Sequence, residues 1–109
     1  MSLAAEKCVV CHDGSGKLAE AEVKSLLATL NQWEVLEGML FKRHDFKNFK
    51  QSLAFVNKVG EVAEAEDHHP DINFGWGFAE VSLITHSADG LTRNDFIVAA
   101  KIDALAATA

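Results

Sequence analysis

Three of the five histidines in this 109-residue chain lie within nineteen residues of one another, and carboxylates accompany them. His68 and His69 are adjacent and are followed by Pro70, and His86 comes later. An imidazole takes up and releases a proton near neutral pH, so such a group is suited to general acid–base catalysis. The candidate site residues are His68, His69 and His86, with the acidic side chains of Glu64, Asp67 and Asp95.

Pro70 predicts the local geometry of the histidine pair. A proline disfavours the α conformation at the residue before it, so we expect His69 to be extended and the preceding helix to end near Asp67 or His68. Side chains of neighbouring extended residues point to opposite faces. The two imidazoles are therefore not expected to share one metal ion, although they could touch two parts of one flat ligand. This geometry favours proton chemistry, and no metal is expected at the site.

Hydrophobic periodicity and turn residues predict three helices and four strands, in the order α-β-β-α-β-β-α. Both strand pairs are short hairpins, which is typical of an antiparallel sheet. An apolar stripe on the second helix predicts that a wide face packs on the sheet. The stripe consists of Phe49, Leu53, Val56, Gly60 and Ala63, and Phe55, Val59 and Val62 broaden it. The predicted elements are a helix over 19–30, strands over 33–36 and 39–44, a helix after Asn48, strands over 71–74 and 78–85, and a helix after Thr92.

The other candidates each have a plainer interpretation beside the functional one. Asp95 closes the capping box that opens at Thr92, and this could be its whole role. Glu64 could be a solvated residue in the last turn of its helix, and His86 a surface histidine at the end of a strand. Trp76, in a turn between glycines, is interpreted as a stacking platform for a ligand or as a contact between subunits.

Composition limits the function classes. The chain is 49% hydrophobic and 24% charged with one proline, which is ordinary for one globular domain. A net charge of -6 argues against direct contact with nucleic acid, which requires a basic patch. No apolar run reaches the roughly 20 residues of a membrane span, and the first residues do not have the pattern of a signal peptide. We therefore expect a cytoplasmic protein with no membrane contact.

The first seventeen residues are predicted to form a flexible arm, followed by a domain over 18–109. Cys8 and Cys11, with His12 beside them, form half of a zinc knuckle, and a second Cys/His pair at the usual spacing is missing. A structural disulfide is not expected in a reducing compartment. The arm is interpreted as inert or as a weak metal scavenger.

The spacing of the candidate residues resembles the signature of the pterin-4a-carbinolamine dehydratases. The resemblance extends to Leu18-x-x-x-Glu22, the strand at Trp33, residues 49–57 and Gly90-Leu91-Thr92-x-x-Asp95. One departure is Ala19, which stands where the family usually has a serine or threonine cap; another is the variable position of Asp67, whose charge should favour the imidazolium of His68. The signature is Glu64, three residues, His68-His69-Pro70, five residues, Trp76, nine residues, His86, eight residues and Asp95.

The resemblance implies a fold and an activity. The family fold is α+β: a four-stranded antiparallel sheet with the three helices on one face. The implied reaction dehydrates 4a-hydroxytetrahydropterin, the product of aromatic amino acid hydroxylases, to quinonoid dihydropterin, without a cofactor. His68 and His86 would transfer protons around the 4a-hydroxyl, and His69 would position the pterin or share the acid role. Glu64 and Asp95 would orient imidazoles, and Trp76 would border the ring.

A homo-oligomer, dimer or tetramer, is also expected, because a small sheet covered on one side leaves an edge and a face that water covers poorly. The alternative function is a binding module. Family members in animals act as dimerisation partners of a homeodomain transcription factor, so a role in transcription, such as control of a phenylalanine hydroxylase, is the alternative to catalysis.

Overall fold

The computed structural model describes residues 3–8 and 16–108, with the backbone alone for 106–108. Seven main elements follow one another in the predicted order, and two short 3-10 helices, Leu3–Ala5 and His86–Ala88, are added. The elements are α1 (Glu20–Leu27), β1 (Glu34–Leu36), β2 (Met39–Asp45), α2 (Phe49–Glu66), β3 (Asp71–Gly75), β4 (Phe78–Leu83) and α3 (Arg93–Thr108).

The four strands form one antiparallel sheet in the order β1-β2-β4-β3. Alternate residues of the two central strands are buried, so one face of the sheet carries the core. The three helices pack against this core, with Val59 of α2 and Phe96 of α3 fully buried. The predicted fold class, a four-stranded antiparallel sheet with three helices in a single domain, is confirmed. The inward residues are Leu40, Lys42 and His44 on β2 and Ala79, Val81 and Leu83 on β4.

Two tight turns fix the hairpins. Glu37 and Gly38, at φ 53° and 80°, make the turn between β1 and β2 as predicted. The turn between β3 and β4 is shorter than predicted, because Gly75 still pairs with Phe78 and only Trp76 and Gly77 remain outside the ladder. The hairpin therefore ends in an exposed tryptophan.

The buried side of α2 is narrower than the predicted apolar face. The residues that face the core are Ser52, Phe55, Val59 and Ala63, whereas Phe49 and Leu53 are exposed. Phe55, Val59 and Ala63 belong to the predicted face, and only its edge at Phe49 and Leu53 lies outside the core. Asn48 caps the helix as predicted, since its side chain accepts a hydrogen bond from the backbone N–H of Gln51 at 2.9 Å.

The first described residues differ from the loose conformation predicted for the arm. Leu3 is buried in the core cluster, and Nζ of Lys101 donates a hydrogen bond to the carbonyl of Ala4 at 2.7 Å. The guanidinium of Arg93 donates two hydrogen bonds of 2.7 Å to the carboxylate of Glu6. Residues 3–8 therefore lie along α3. The domain boundary at residue 18 stays a prediction, and the Cys11-His12 pair lies outside the described residues.

Candidate active site

The end of α2 orients the first histidine. The helix ends at Glu66, close to the predicted position, and Asp67 takes the left-handed conformation at φ 52°. The backbone N–H of His68 then donates to the carbonyl of Ala63 at 3.2 Å, which closes the last turn in a Schellman-type cap. The chain leaves the helix axis at Asp67, and His68 is directed towards the beginning of α3.

His68 is bound to a fully buried carboxylate. Its Nε2 atom lies 2.6 Å from Oδ1 of Asp95, and the two side chains are 13% and 0% exposed. An ionised carboxylate only accepts hydrogen bonds, so Nε2 of His68 is the donor. The hydrogen bond fixes both the tautomer and the ring orientation, and it leaves Nδ1 as the nitrogen that can meet a substrate.

Asp95 is held by two further hydrogen bonds. Its Oδ2 atom accepts from the backbone N–H of Thr92 at 2.9 Å and from the hydroxyl of Thr85 at 2.8 Å. The first is the capping-box bond that begins α3, and the second ties the helix to the chain just after β4. The hydroxyl groups of Thr85 and Thr92 also lie 2.8 Å apart. Asp95 therefore has two roles: it caps α3, and it accepts the hydrogen bond from His68.

His69 has a different and more exposed partner. Its Nε2 atom lies 2.5 Å from Oε2 of Glu64, and the two side chains are 54% and 79% exposed. Water screens such a pair, which therefore contributes little to stability. The hydrogen bond to Glu64 instead orients the ring of His69. The structure thus gives each of the two adjacent histidines its own carboxylate.

His86 lies beside this arrangement in the chain. It begins the 3-10 helix His86–Ala88, and a bridge between Thr85 and Gly90 closes that loop. Thr85, the residue before His86, donates to the same carboxylate as His68. The imidazole of His86 is exposed and makes no side-chain hydrogen bond to the described residues. It is accessible to substrate and to water.

Two predicted site residues are placed elsewhere. Asp67 is exposed at the helix cap, and the carboxylate that contacts His68 is Asp95 instead. Trp76 is 72% exposed at the tip of the hairpin. It follows the end of β3, whereas His69 precedes the strand, and five residues of strand span about 16 Å. Within one chain Trp76 and His69 therefore lie at opposite ends of β3, and the contact of Trp76 with the pterin ring stays a prediction.

Two residues near the site were not predicted. Thr85 could have been predicted, because it continues the buried alternation of Ala79, Val81 and Leu83 and directly precedes a histidine. Glu66 could not: its side chain is only 5% exposed, and its partner Cys8 lies 58 residues away in sequence. The hydrogen bond from the backbone of Cys8 lowers the pKa of Glu66.

The described part of the chain offers no metal centre of the usual kind, since no three His, Cys, Asp or Glu side chains are grouped there. Nor is any helix in it both long and apolar enough to cross a membrane. The site contains an oriented imidazole on a buried carboxylate, and the exposed imidazoles of His69 and His86 each directly follow a residue that binds this carboxylate. This is an α+β protein with a site suited to proton transfer.

Comparison with known proteins identifies the family. The family model for pterin 4 alpha carbinolamine dehydratase matches residues 16–105. A protein of Halorhodospira halophila, with the provisional name pterin-4-alpha-carbinolamine dehydratase, is 47% identical over 98% of this chain and 100% of its own length. One of Rubrobacter xylanophilus with the same provisional name is 49% identical over 94% of this chain and 97% of its own. The chain belongs to the pterin 4 alpha carbinolamine dehydratase family.

Two solved structures share the fold. A transcriptional coactivator/pterin dehydratase from Brucella melitensis is 30% identical, with a TM-score of 0.79 over 83% of this chain and 98% of that one. A pterin dehydratase-like protein described as a RuBisCO assembly factor in the alpha-carboxysome is 31% identical, with a TM-score of 0.58 over 71% and 89%. Proteins of this fold thus carry descriptions of both catalysis and binding.

Proposed function

We propose that this protein dehydrates 4a-hydroxytetrahydropterin to quinonoid dihydropterin. Family membership supports the reaction, and the bond between His68 and the buried Asp95 is the observation that supports catalysis by this chain. Such a reaction would return the pterin to its cycle after an aromatic amino acid hydroxylase has used it. We place that activity in the cytoplasm.

The reaction requires two proton transfers and no change of oxidation state. The bond between C4a and its hydroxyl oxygen breaks, the oxygen leaves as water after it gains a proton, and N5 of the pterin loses a proton. An acid near the oxygen and a base near N5 each contribute about 10²–10⁴-fold. His68 and His86 are the proposed pair, because one presents Nδ1 in a fixed orientation and the other is accessible to solvent.

The remaining side chains are assigned supporting roles. Asp95 holds the tautomer of His68, so that the same nitrogen always faces the substrate. His69, oriented by Glu64, lies at the start of β3 and is proposed to position the pterin or to share the acid role. None of these roles requires a cofactor.

An assay of the purified wild-type protein tests the proposal. With freshly generated 4a-carbinolamine, the protein should increase the rate of dehydration well above the uncatalysed rate, in proportion to its concentration. A rate that equals the uncatalysed one at micromolar protein would contradict it.

A second candidate function is a binding module that acts in transcription or assembly. The descriptions of the two solved relatives favour it, as do the exposed apolar side chains of Phe49, Leu53 and Trp76. A binding module would not depend on the imidazoles. If the protein has no dehydratase activity but is folded, this second function replaces the first.

A further inference from the structure

The N-terminal segment Leu3–Cys8 contacts both elements that form the histidine–carboxylate pair. It is bound to α3 by Lys101, which donates to the carbonyl of Ala4, and by the two hydrogen bonds from Arg93 to the carboxylate of Glu6. At its end, the backbone N–H of Cys8 donates to Oε1 of Glu66, in the last turn of α2, at 2.8 Å. The segment therefore runs along α3 and ends against α2.

Glu66 is an unusual carboxylate for a helix surface. Its side chain is 5% exposed, and its carboxylate lies between the N–H of Cys8 and Nζ of Lys101, which is 3.7 Å away. A buried carboxylate without such partners would cost several kcal/mol. The segment and Glu66 therefore stabilise each other's position.

The thiol of Cys8 is not the reason for this contact. Burial, together with the nearby carboxylates of Glu66 and Asp95, raises the pKa of the thiol to about 12. A thiol with that pKa remains protonated and unreactive at neutral pH. Its Sγ atom lies 3.7 Å from the carbonyl oxygen of Asn94, so the side chain packs against the beginning of α3.

Both residues that Cys8 contacts lie within two residues of His68 or Asp95 in sequence. Glu66 precedes His68 by two residues, and Asn94 precedes Asp95 by one. The junction of α2 with β3 and the beginning of α3 are therefore joined twice: directly by the hydrogen bond from His68 to Asp95, and indirectly by the segment, which binds Glu66 through the N–H of Cys8 and binds α3 through Glu6 and Ala4. Both connections span the same two elements.

We infer that Glu66 is a positioning residue for the proposed reaction, and that it acts by holding the N-terminal segment between α2 and α3. The effect on rate rests on the proposed function, whereas the effect on the geometry of His68 does not. An error of about 1 Å in the placement of a reacting group can cost about 10²-fold in rate. Loss of the Glu66 contact should therefore lower kcat by about tenfold and change KM much less.

The experiment compares three variants with the wild type. Glu66→Leu removes the acceptor for Cys8, and Glu66→Gln keeps an oxygen at the same place. Asp103→Leu is the matched control, because Asp103 is also a poorly exposed helix carboxylate and binds Trp33 and Lys42 instead. Melting temperature, kcat and KM are measured for each.

The same proteins are labelled with ¹⁵N-histidine, and the hydrogen-bonded Nε2 proton of His68 is observed without substrate. A His68→Gln variant assigns the signal. In Glu66→Leu the signal should shift or broaden, and in Glu66→Gln it should be retained. Asp103→Leu should lower the melting temperature yet keep both the signal and kcat.

A second pair confines the change to the segment, in case Glu66→Leu does not fold. Cys8→Pro removes the N–H that Glu66 accepts together with the thiol, and Cys8→Ala removes the thiol but keeps the N–H. The first should reproduce the effect of Glu66→Leu on the His68 signal, and the second should not. Unchanged His68 signals in both Glu66→Leu and Cys8→Pro, or an equal change in Asp103→Leu, would overturn the inference. A wild type without activity would refute the proposed function, and the comparison of His68 signals would still test whether Glu66 positions His68.

Discussion

Nε2 of His68 lies 2.6 Å from Oδ1 of Asp95, and this carboxylate is completely buried while the imidazole reaches the surface. The pair joins the end of one helix to the first turn of another. Because the hydroxyl of Thr85 and the N–H of Thr92 bind the other carboxylate oxygen, Asp95 cannot rotate without the loss of two hydrogen bonds. The fold therefore determines the orientation of the His68 imidazole.

Asp95→Asn should lower turnover by about 10- to 10³-fold, because an amide cannot accept at both positions and its NH₂ group would meet a donor. The buried donor left without an acceptor should also cost about 1–3 kcal/mol in the free energy of unfolding. Steady-state kinetics and denaturant unfolding measure the two effects. Glu64→Gln is the control, since its pair with His69 is exposed and should affect turnover less. Wild-type turnover in Asp95→Asn would contradict the assigned role.

Acid should destabilise the protein through His44, which lies in the core away from the site. Its ring packs on Phe55 with a centroid distance of 4.5 Å, and neither of its nitrogens has a hydrogen-bond partner in the described chain. Burial and the charge of Lys42 lower the pKa of His44 from 6.5 to about 4. The unfolded state therefore binds more protons between these values, and the free energy of unfolding falls as pH decreases from 6.5 towards 4.

The expected loss is roughly 2–3 kcal/mol by pH 4. Urea unfolding at a series of pH values measures it. His44→Phe keeps an aromatic ring without a titrating group, so its stability should depend less on pH in this range. An equally steep dependence in that variant would assign the acid sensitivity to other groups.

Dehydratase activity should persist in the presence of EDTA, because proton transfer by imidazoles requires no metal. Replacement of both cysteines, Cys8→Ser with Cys11→Ser, should likewise leave turnover unchanged. Activity that disappears on chelation and returns with zinc would replace the proposed mechanism with a metal-dependent one.

The protein should form a homo-oligomer, a dimer or a tetramer, at micromolar concentration. Large apolar side chains are exposed on β1, on α2 and at the hairpin tip, among them Leu36, Phe49 and Trp76 at 47%, 45% and 72%. Exposed groups of this kind are typical of surfaces that associate. Light scattering after size-exclusion chromatography measures the mass, and a monomer under these conditions would contradict the prediction.

Local signals in the sequence predicted the fold well. Pro70 placed the end of α2 within one residue, and Glu37-Gly38 placed the first hairpin turn. These features depend on backbone preferences of a few neighbouring residues, which a sequence shows directly. The apolar face predicted for α2 was too wide, because Phe49 and Leu53 are as apolar as Phe55 and Val59, which do meet the core.

Long-range contacts were the part that could not be predicted. The first residues are fixed by Arg93 and Lys101, which lie 87 and 97 residues from their partners. Nothing in the local pattern of residues 3–8 indicates those partners.

Turnover of His68→Ala and His86→Ala tests the central claim most directly. Each substitution removes a proton carrier outside the core and should lower the rate of dehydration by about ten- to a thousandfold, with the fold and oligomer retained. The double variant should fall close to the uncatalysed rate if the two imidazoles act together. Wild-type rates in both single variants, with unchanged melting temperatures, would contradict catalysis by these histidines and favour the binding function.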